Sequence, residues 1–450
     1  GGGGGGGSSG EAVGGGAIPQ CSENASYVDG EYNFMGNGGT YTSTNLYGLG
    51  SVCASAAYGR GATGDGQLIA VLDSGISVGE GTTTDLNQIN SNIATFLTGS
   101  DVINSDNVPQ DDDNNNNTAL GSGHGSHVAG LIANEHNNSS FGGHGIAYDA
   151  TLHIIKVLDE DGSGSFAQIA AGMDLARGVS SMDIVNLSLG SSGVIGSTCD
   201  SASSCETALG STIYTAMEAL GSASIIQVYA AGNDGNSSPN TLAGAAIYDD
   251  DFKETTVIAV AIDSTGNLAS YSDKCGVAKA ICIAAPGSSL YSFFSSNAQS
   301  SYAVDNYAQA MSGTSQAAPL VSGGLALIKQ EFSSLTNAQV IDRLLATALA
   351  TGEYSKSTIY GHGLMNLNGA TAAVAKLQTI NGSNLLDDPN TSYYDLAHNS
   401  FLSSAAFSNA LNNALAGHTM EVYDSFDRAN FDVAVNSFFT SGSYTSQNTI

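Results

Sequence analysis

The chain predicts an α/β fold, a doubly wound, mainly parallel β-sheet flanked by helices, with irregular N- and C-terminal extensions. Three observations carry that expectation. Short apolar runs at residues 67–72, 152–157, 184–189, 225–229 and 257–261 have the continuous hydrophobicity of strands buried on both faces. Helical patterns at 165–178 and 207–220 fall between them, and strand and helix in turn make a parallel sheet. The run at 67–72 ends on Asp73-Ser74-Gly75, while two small-residue helices open on a histidine and a serine, which sets chemistry-bearing groups at element ends.

In chain order, residues 1–16 are almost all glycine, serine and alanine, a composition that buries no core and behaves as a tether, with an expression linker as the plainer reading. Residues 21–44 are polar and turn-rich, so 1–44 reads as tether plus extension. The folded domain is expected over 45–378, opening with a short helix at 52–58 and passing through Gly64-Asp65-Gly66 into the strand that ends at Asp73. Gly123-His124-Gly125-Ser126-His127 opens a helix of small residues, and Gly313-Thr314-Ser315-Gln316 opens another that continues through Leu320, Val321 and Leu325. Thr336 followed by Gln339 reads as a capping box starting an amphipathic helix through Leu344 and Leu345. Beyond residue 378 the pattern turns polar, and 379–450 reads as a connector or tail.

The totals exclude several functions. With 11 basic against 41 acidic residues, a formal charge of −30, the chain is unsuited to nucleic acid or to anionic lipid. No apolar run approaches a membrane span. Six cysteines favour disulfides over a zinc site, since no pair has C-x-x-C spacing. Spacing favours Cys199 with Cys205 and Cys275 with Cys282, leaving Cys21 for Cys53. Asp111-Asp112-Asp113 and four asparagines form an oxygen-rich loop able to hold calcium, with a solvated surface loop as the plainer reading; no metal ligand is assigned and no cofactor is required.

A serine at a helix mouth is by itself a cap. It becomes a candidate nucleophile when a histidine can take its proton and an acid can orient that histidine, the parts that Ser315, His124 and Asp73 supply. His127, one helical turn on, lacks a third ligand for a metal and reads as structural, as does His362 in a tight turn.

Asp73 in VLDSGI, His124 in GHGSHVAG, Ser315 in SGTSQAAP and Ala230-Ala231-Gly232-Asn233-Asp234 together resemble the motifs of the subtilisin-like serine peptidases, over roughly residues 45–375. The order Asp, His, Ser is that of subtilisin. The resemblance implies an endopeptidase acting on proteins or peptides, with Asn233 and the Ser315 amide as oxyanion donors. It also implies a substrate-pairing edge at Ser188, Leu189 and Gly190, a pocket walled by these and by Ala230, Ala231 and Gly232, and a floor near 245–249. Gln316 departs from the methionine usual beside the serine, a change expected to be mild. The tract at 1–16 resembles the spacer after the acylated cysteine of some bacterial surface lipoproteins, the peptidase domain resembles the passenger of bacterial autotransporter subtilases, and the segment beyond 378 resembles their connector, implying a secreted or outer-membrane-tethered monomer. The alternative is a catalytically silent adhesive module that keeps the fold.

Overall fold

The structure, a computed structural model, describes residues 47–76, 92–111, 123–136, 144–293 and 308–374, with short pieces between 377 and 441. The expected tether at 1–44, Cys21, and the loop residues Asp112 and Asp113 lie outside the described residues.

A six-stranded parallel sheet forms the centre, in the spatial order β2-β1-β3-β4-β5-β6. Its strands are β1 (Leu68–Asp73), β2 (Thr151–Lys156), β3 (Ile184–Leu187), β4 (Ile226–Ala230), β5 (Thr256–Ile262) and β6 (Cys282–Pro286). β3, β4, β5 and β6 are buried at every residue, which is why they read as unbroken apolar runs rather than as alternating ones. Order reverses between β2 and β3 on either side of β1, and such a switch opens a crevice at the carboxyl ends of the strands.

Helices flank the sheet. Those that matter here are α1 (His124–Ala133), α2 (Phe166–Arg177), α3 (Ala202–Leu209), α4 (Ser211–Ser222), α5 (Thr314–Glu331) and α6 (Asn337–Ala346). α5 packs along β3 to β6 and against α1, bringing the mouths of α1 and α5 to one region. The single helix expected at 207–220 is two, because Ser201 starts a helix with a capping box of its own and Gly210, at φ +91°, breaks the run between them. The capping box expected at Thr336 is present, with Thr336 Oγ1 accepting from the Gln339 N–H and Gln339 Oε1 accepting from the Thr336 N–H.

Disulfides join Cys199 to Cys205 and Cys275 to Cys282, as spacing suggested. Cys53 is disulfide-bonded, and its expected partner Cys21 is outside the described residues.

The segment expected to be a tail returns to the domain. Strands Thr419–Asp424 and Asn430–Ala434 pair antiparallel, and the turn joining them reaches Arg343 on α6. Arg343 is fully buried; its Nη1 donates to Asp424 at 3.0 Å and to Asp427 at 2.7 Å, and its Nε donates to the Ala370 carbonyl. The guanidinium lies 4.2 Å from the centroid of Phe332, a cation–π contact in a dry setting. Removing the cation leaves two buried carboxylates facing each other. Arg343→Met is therefore expected to destabilise the protein by roughly 3–5 kcal/mol, read as a lower denaturant midpoint at unchanged slope; a midpoint within error of the parent would show that the triad contributes nothing.

Candidate active site

Asp73 is the last residue of β1 and is 1% exposed, at the carboxyl end of a strand next to the switch in strand order. Its backbone oxygen accepts from the N–H groups of Val157 and Leu158, just past the end of β2, and its Oδ1 accepts from the Ser74 N–H at 2.7 Å. His124 opens α1, and its Nδ1 lies 2.7 Å from the same Oδ1. The helix can approach the acid this closely because Gly125 has no side chain: a Cβ there would stand 2.1 Å from the Gly75 oxygen. The Gly125 N–H donates to Ser74 Oγ, tying the helix mouth to the acid turn.

Asp111 is also buried, and its Oδ2 accepts from the Gly123 N–H at 2.7 Å, one residue before the histidine. Burial disfavours the charged imidazole, but the charge and hydrogen bond of Asp73, with the charge of Asp111 behind them, outweigh it and raise the His124 pKa above the ordinary histidine value.

Ser315 is the second residue of α5. Its Oγ donates to the Ser188 carbonyl at 3.2 Å, and Ser188 Oγ donates back to the Ser315 carbonyl at 2.8 Å. The hydrogen bond to His124 expected of a nucleophile is not formed, because the hydroxyl has taken that carbonyl instead. A change of χ1 rotamer is the motion that would exchange acceptors.

Asn233 lies in the loop after β4, where its Oδ1 accepts from the Thr314 N–H at 2.8 Å and from Thr314 Oγ1 at 3.0 Å. With the oxygen so engaged, the amide nitrogen is turned elsewhere. It stands 3.3 Å from the point a Gly313 Cβ would occupy, and the Ser315 N–H nitrogen stands 3.5 Å from it, so two donors converge on a space held open by glycine. Asp273, fully buried, keeps the loop in shape by accepting from the N–H groups of Asn236 and Asp234. Gln316 is 1% exposed with Oε1 2.8 Å from the same point, and its Nε2 has no hydrogen-bond partner.

Asp73, His124 and Ser315 line one cavity of about 420 Å³. Ser188, Leu189 and Gly190 line it together with Leu158, Ser163 and Ile169, three residues to which the sequence assigned no role. Ala230, Ala231 and Gly232 lie outside this cavity, the two alanines buried in the core. Asp249, considered for the pocket floor, caps a short helix and accepts from the Tyr214 hydroxyl. A larger groove of about 560 Å³ runs between α2 and α4, lined by alanines and threonines with Asp174, Arg177 and Ser211, and holds none of the residues above. His127 and His362 bond to the carbonyls of Leu290 and Ala280, as structural histidines do.

The missed residues left different traces. Thr314 stood inside a motif, Asp111 inside an acidic run, and Asp273 in no pattern at all.

The model of the subtilase family matches residues 64–363. Subtilisin Savinase of Lederbergia lenta is 35% identical over 325 residues, covering 72% of this chain and 98% of that protein. Subtilisin NAT of Bacillus subtilis subsp. natto is 34% identical over 331 residues, covering 73% of this chain and 72% of its own length. Among solved structures, a protease from Pseudoalteromonas arctica PAMC 21717 superposes with a TM-score of 0.56 at 27% identity, over 77% of this chain and 99% of that one. With a family match over most of the central domain and relatives of this similarity, the chain belongs to the subtilase family and is a serine endopeptidase.

Proposed function

We propose that the chain cleaves peptide bonds through Asp73, His124 and Ser315, with Asn233 and the Ser315 amide binding the oxyanion. The observation that carries this reading is the 2.7 Å contact of His124 Nδ1 with buried Asp73, at the wall of a cavity that Ser315 shares. Ser315 Oγ attacks the scissile carbonyl while His124 Nε2 takes its proton and later passes it to the leaving amine. Asp73 fixes the tautomer and stabilises the imidazolium. Charge that develops on the carbonyl oxygen enters the space beside Gly313, between two N–H donors. An extended substrate lies along Ser188, Leu189 and Gly190, whose backbone continues β3, and the cavity takes its side chains. Buried Ala230 and Ala231 and half-buried Gly232 do not line this cavity. No cofactor enters these steps.

A fluorophosphonate probe should label the protein once, on the peptide containing Ser315; an unlabelled protein would point to the silent adhesive module instead. The disulfides at Cys199–Cys205 and Cys275–Cys282 support an extracytoplasmic site of action, since such bonds persist in oxidising compartments. In that setting the terminal segments serve as tether and connector at a bacterial surface.

The electrostatics give a pH profile. Only neutral His124 is a base, so kcat/KM should rise along an acid limb centred above the ordinary histidine pKa of about 6.5. Asp111→Asn removes one charge that favours the imidazolium and keeps an acceptor for the Gly123 N–H, so the limb should move to lower pH. An unchanged or higher limb would remove Asp111 from the field at His124.

A further inference from the structure

Two basic side chains are buried among the described residues, Arg343 and Lys156. Arg343 is met by two carboxylates. Lys156, 1% exposed, instead donates from Nζ to a backbone oxygen, the Ser74 carbonyl, at 2.7 Å. An ammonium withdrawn from water is costly, and one carbonyl repays little of that. Methionine or leucine would fill the same space without the cost.

What the ammonium touches explains its presence. β1 and β2 pair in register so that Asp73 stands beside Lys156. The end of β2 then grips both carbonyls of the acid turn, Asp73 O through the Val157 and Leu158 N–H groups and Ser74 O through Lys156 Nζ. From the other side the same turn receives the Gly125 N–H on Ser74 Oγ and His124 Nδ1 on Asp73 Oδ1. Without Lys156 the Ser74 peptide loses its hold on the sheet side only.

We propose that Lys156 is a positioning residue of the peptidase reaction: its buried ammonium, anchored on the Ser74 carbonyl, fixes the Asp73 turn against His124. This rests on the assignment of Asp73 and His124 made above. The charged groups around it are Asp73 on β1, Asp101 in the loop that bridges to Lys156, and Asp111 before α1, which faces His124. Lys156 is the one buried cation among them.

The test uses the full chain with Lys156→Met, Lys156→Gln and Lys156→Arg, and counts active sites by fluorophosphonate titration so that rates refer to folded enzyme. With Lys156→Met, kcat per site should fall roughly 10- to 100-fold, the scale of a misplacement of about 1 Å, with KM within about twofold. Lys156→Arg, which keeps charge and donor, should recover most of the turnover. Should the methionine variant not fold, Lys156→Gln decides: its amide is one bond short of the ammonium's reach to Ser74, so kcat per site should fall there too, again with KM within about twofold. A methionine or glutamine variant with parental kcat per site, or an arginine variant no better than the methionine one, overturns the proposal. Failure of the underlying assignment looks different, because the parent enzyme itself would then not be labelled at Ser315.

Discussion

Ser315→Ala should lower peptide hydrolysis by roughly a million-fold, the loss measured for the equivalent change in subtilisin itself, while leaving the fold intact. The substitution removes one hydroxyl and with it the bond to the Ser188 carbonyl. The reciprocal bond, from Ser188 Oγ to the Ser315 carbonyl, involves only the backbone of residue 315 and survives. α5 is otherwise held by its long apolar face, and alanine is the best helix former, so the denaturant midpoint should move little. Residual activity of roughly 1000-fold over water is expected from the oxyanion donors, which the change leaves in place. Casein hydrolysis and fluorophosphonate labelling give the readout; an alanine variant that digests casein at the parental rate would end the case for Ser315.

A second large effect is expected from a residue with no chemistry of its own. Gly313 has φ 167°, extended backbone that any residue adopts, so alanine there brings no conformational penalty. Its methyl would instead stand 3.3 Å from Asn233 Nδ2 and 3.5 Å from the Ser315 nitrogen, and 2.8 Å from Gln316 Oε1, filling the space in which the developing oxyanion is to be held. Gln316 can swing away at little cost, but the two donors cannot reach an oxygen through a methyl group. Gly313→Ala should therefore cut kcat by about 100-fold or more, as loss of an oxyanion contact does, with a smaller change in KM because that contact forms mainly in the transition state. Equal damage to kcat and KM would place the methyl in the substrate's path rather than in the oxyanion's.

The parts of the site that were legible in the chain are those whose meaning is local. Asp73 follows a strand signature, and His124 and Ser315 each sit in a run of small residues at a helix start, so a few neighbours suffice to mark them. The strands of the sheet were equally open to view because parallel strands covered on both faces need no alternation. β6 escaped because Cys282–Pro286 is short and three of its five residues are alanine or proline, poor strand formers, and it owes its conformation to pairing with β5. Lys156 was hidden inside an apolar run, where one lysine looks like an edge of the core. Asp111 looked like the first residue of a solvated loop; only the fold turns it toward α1. Leu158 and Ile169 became pocket walls through the packing of α2 beside the end of β2, which no window along the chain displays.

The clasp on Arg343 also orders events in time. Asp424 and Asp427 come later in the chain than every residue of the triad, and a ribosome adds roughly 5–20 residues per second, so Ser315 emerges seconds before the carboxylates that neutralise Arg343. Throughout that interval the guanidinium has Glu331, the Phe332 ring and the Ala370 carbonyl near it but not the two carboxylates it bonds in the finished fold, so α6 is held against α5 less firmly than it will be. An enzyme that could digest its own unfinished chain thus reaches its final packing only after the last of the clasp has been synthesised.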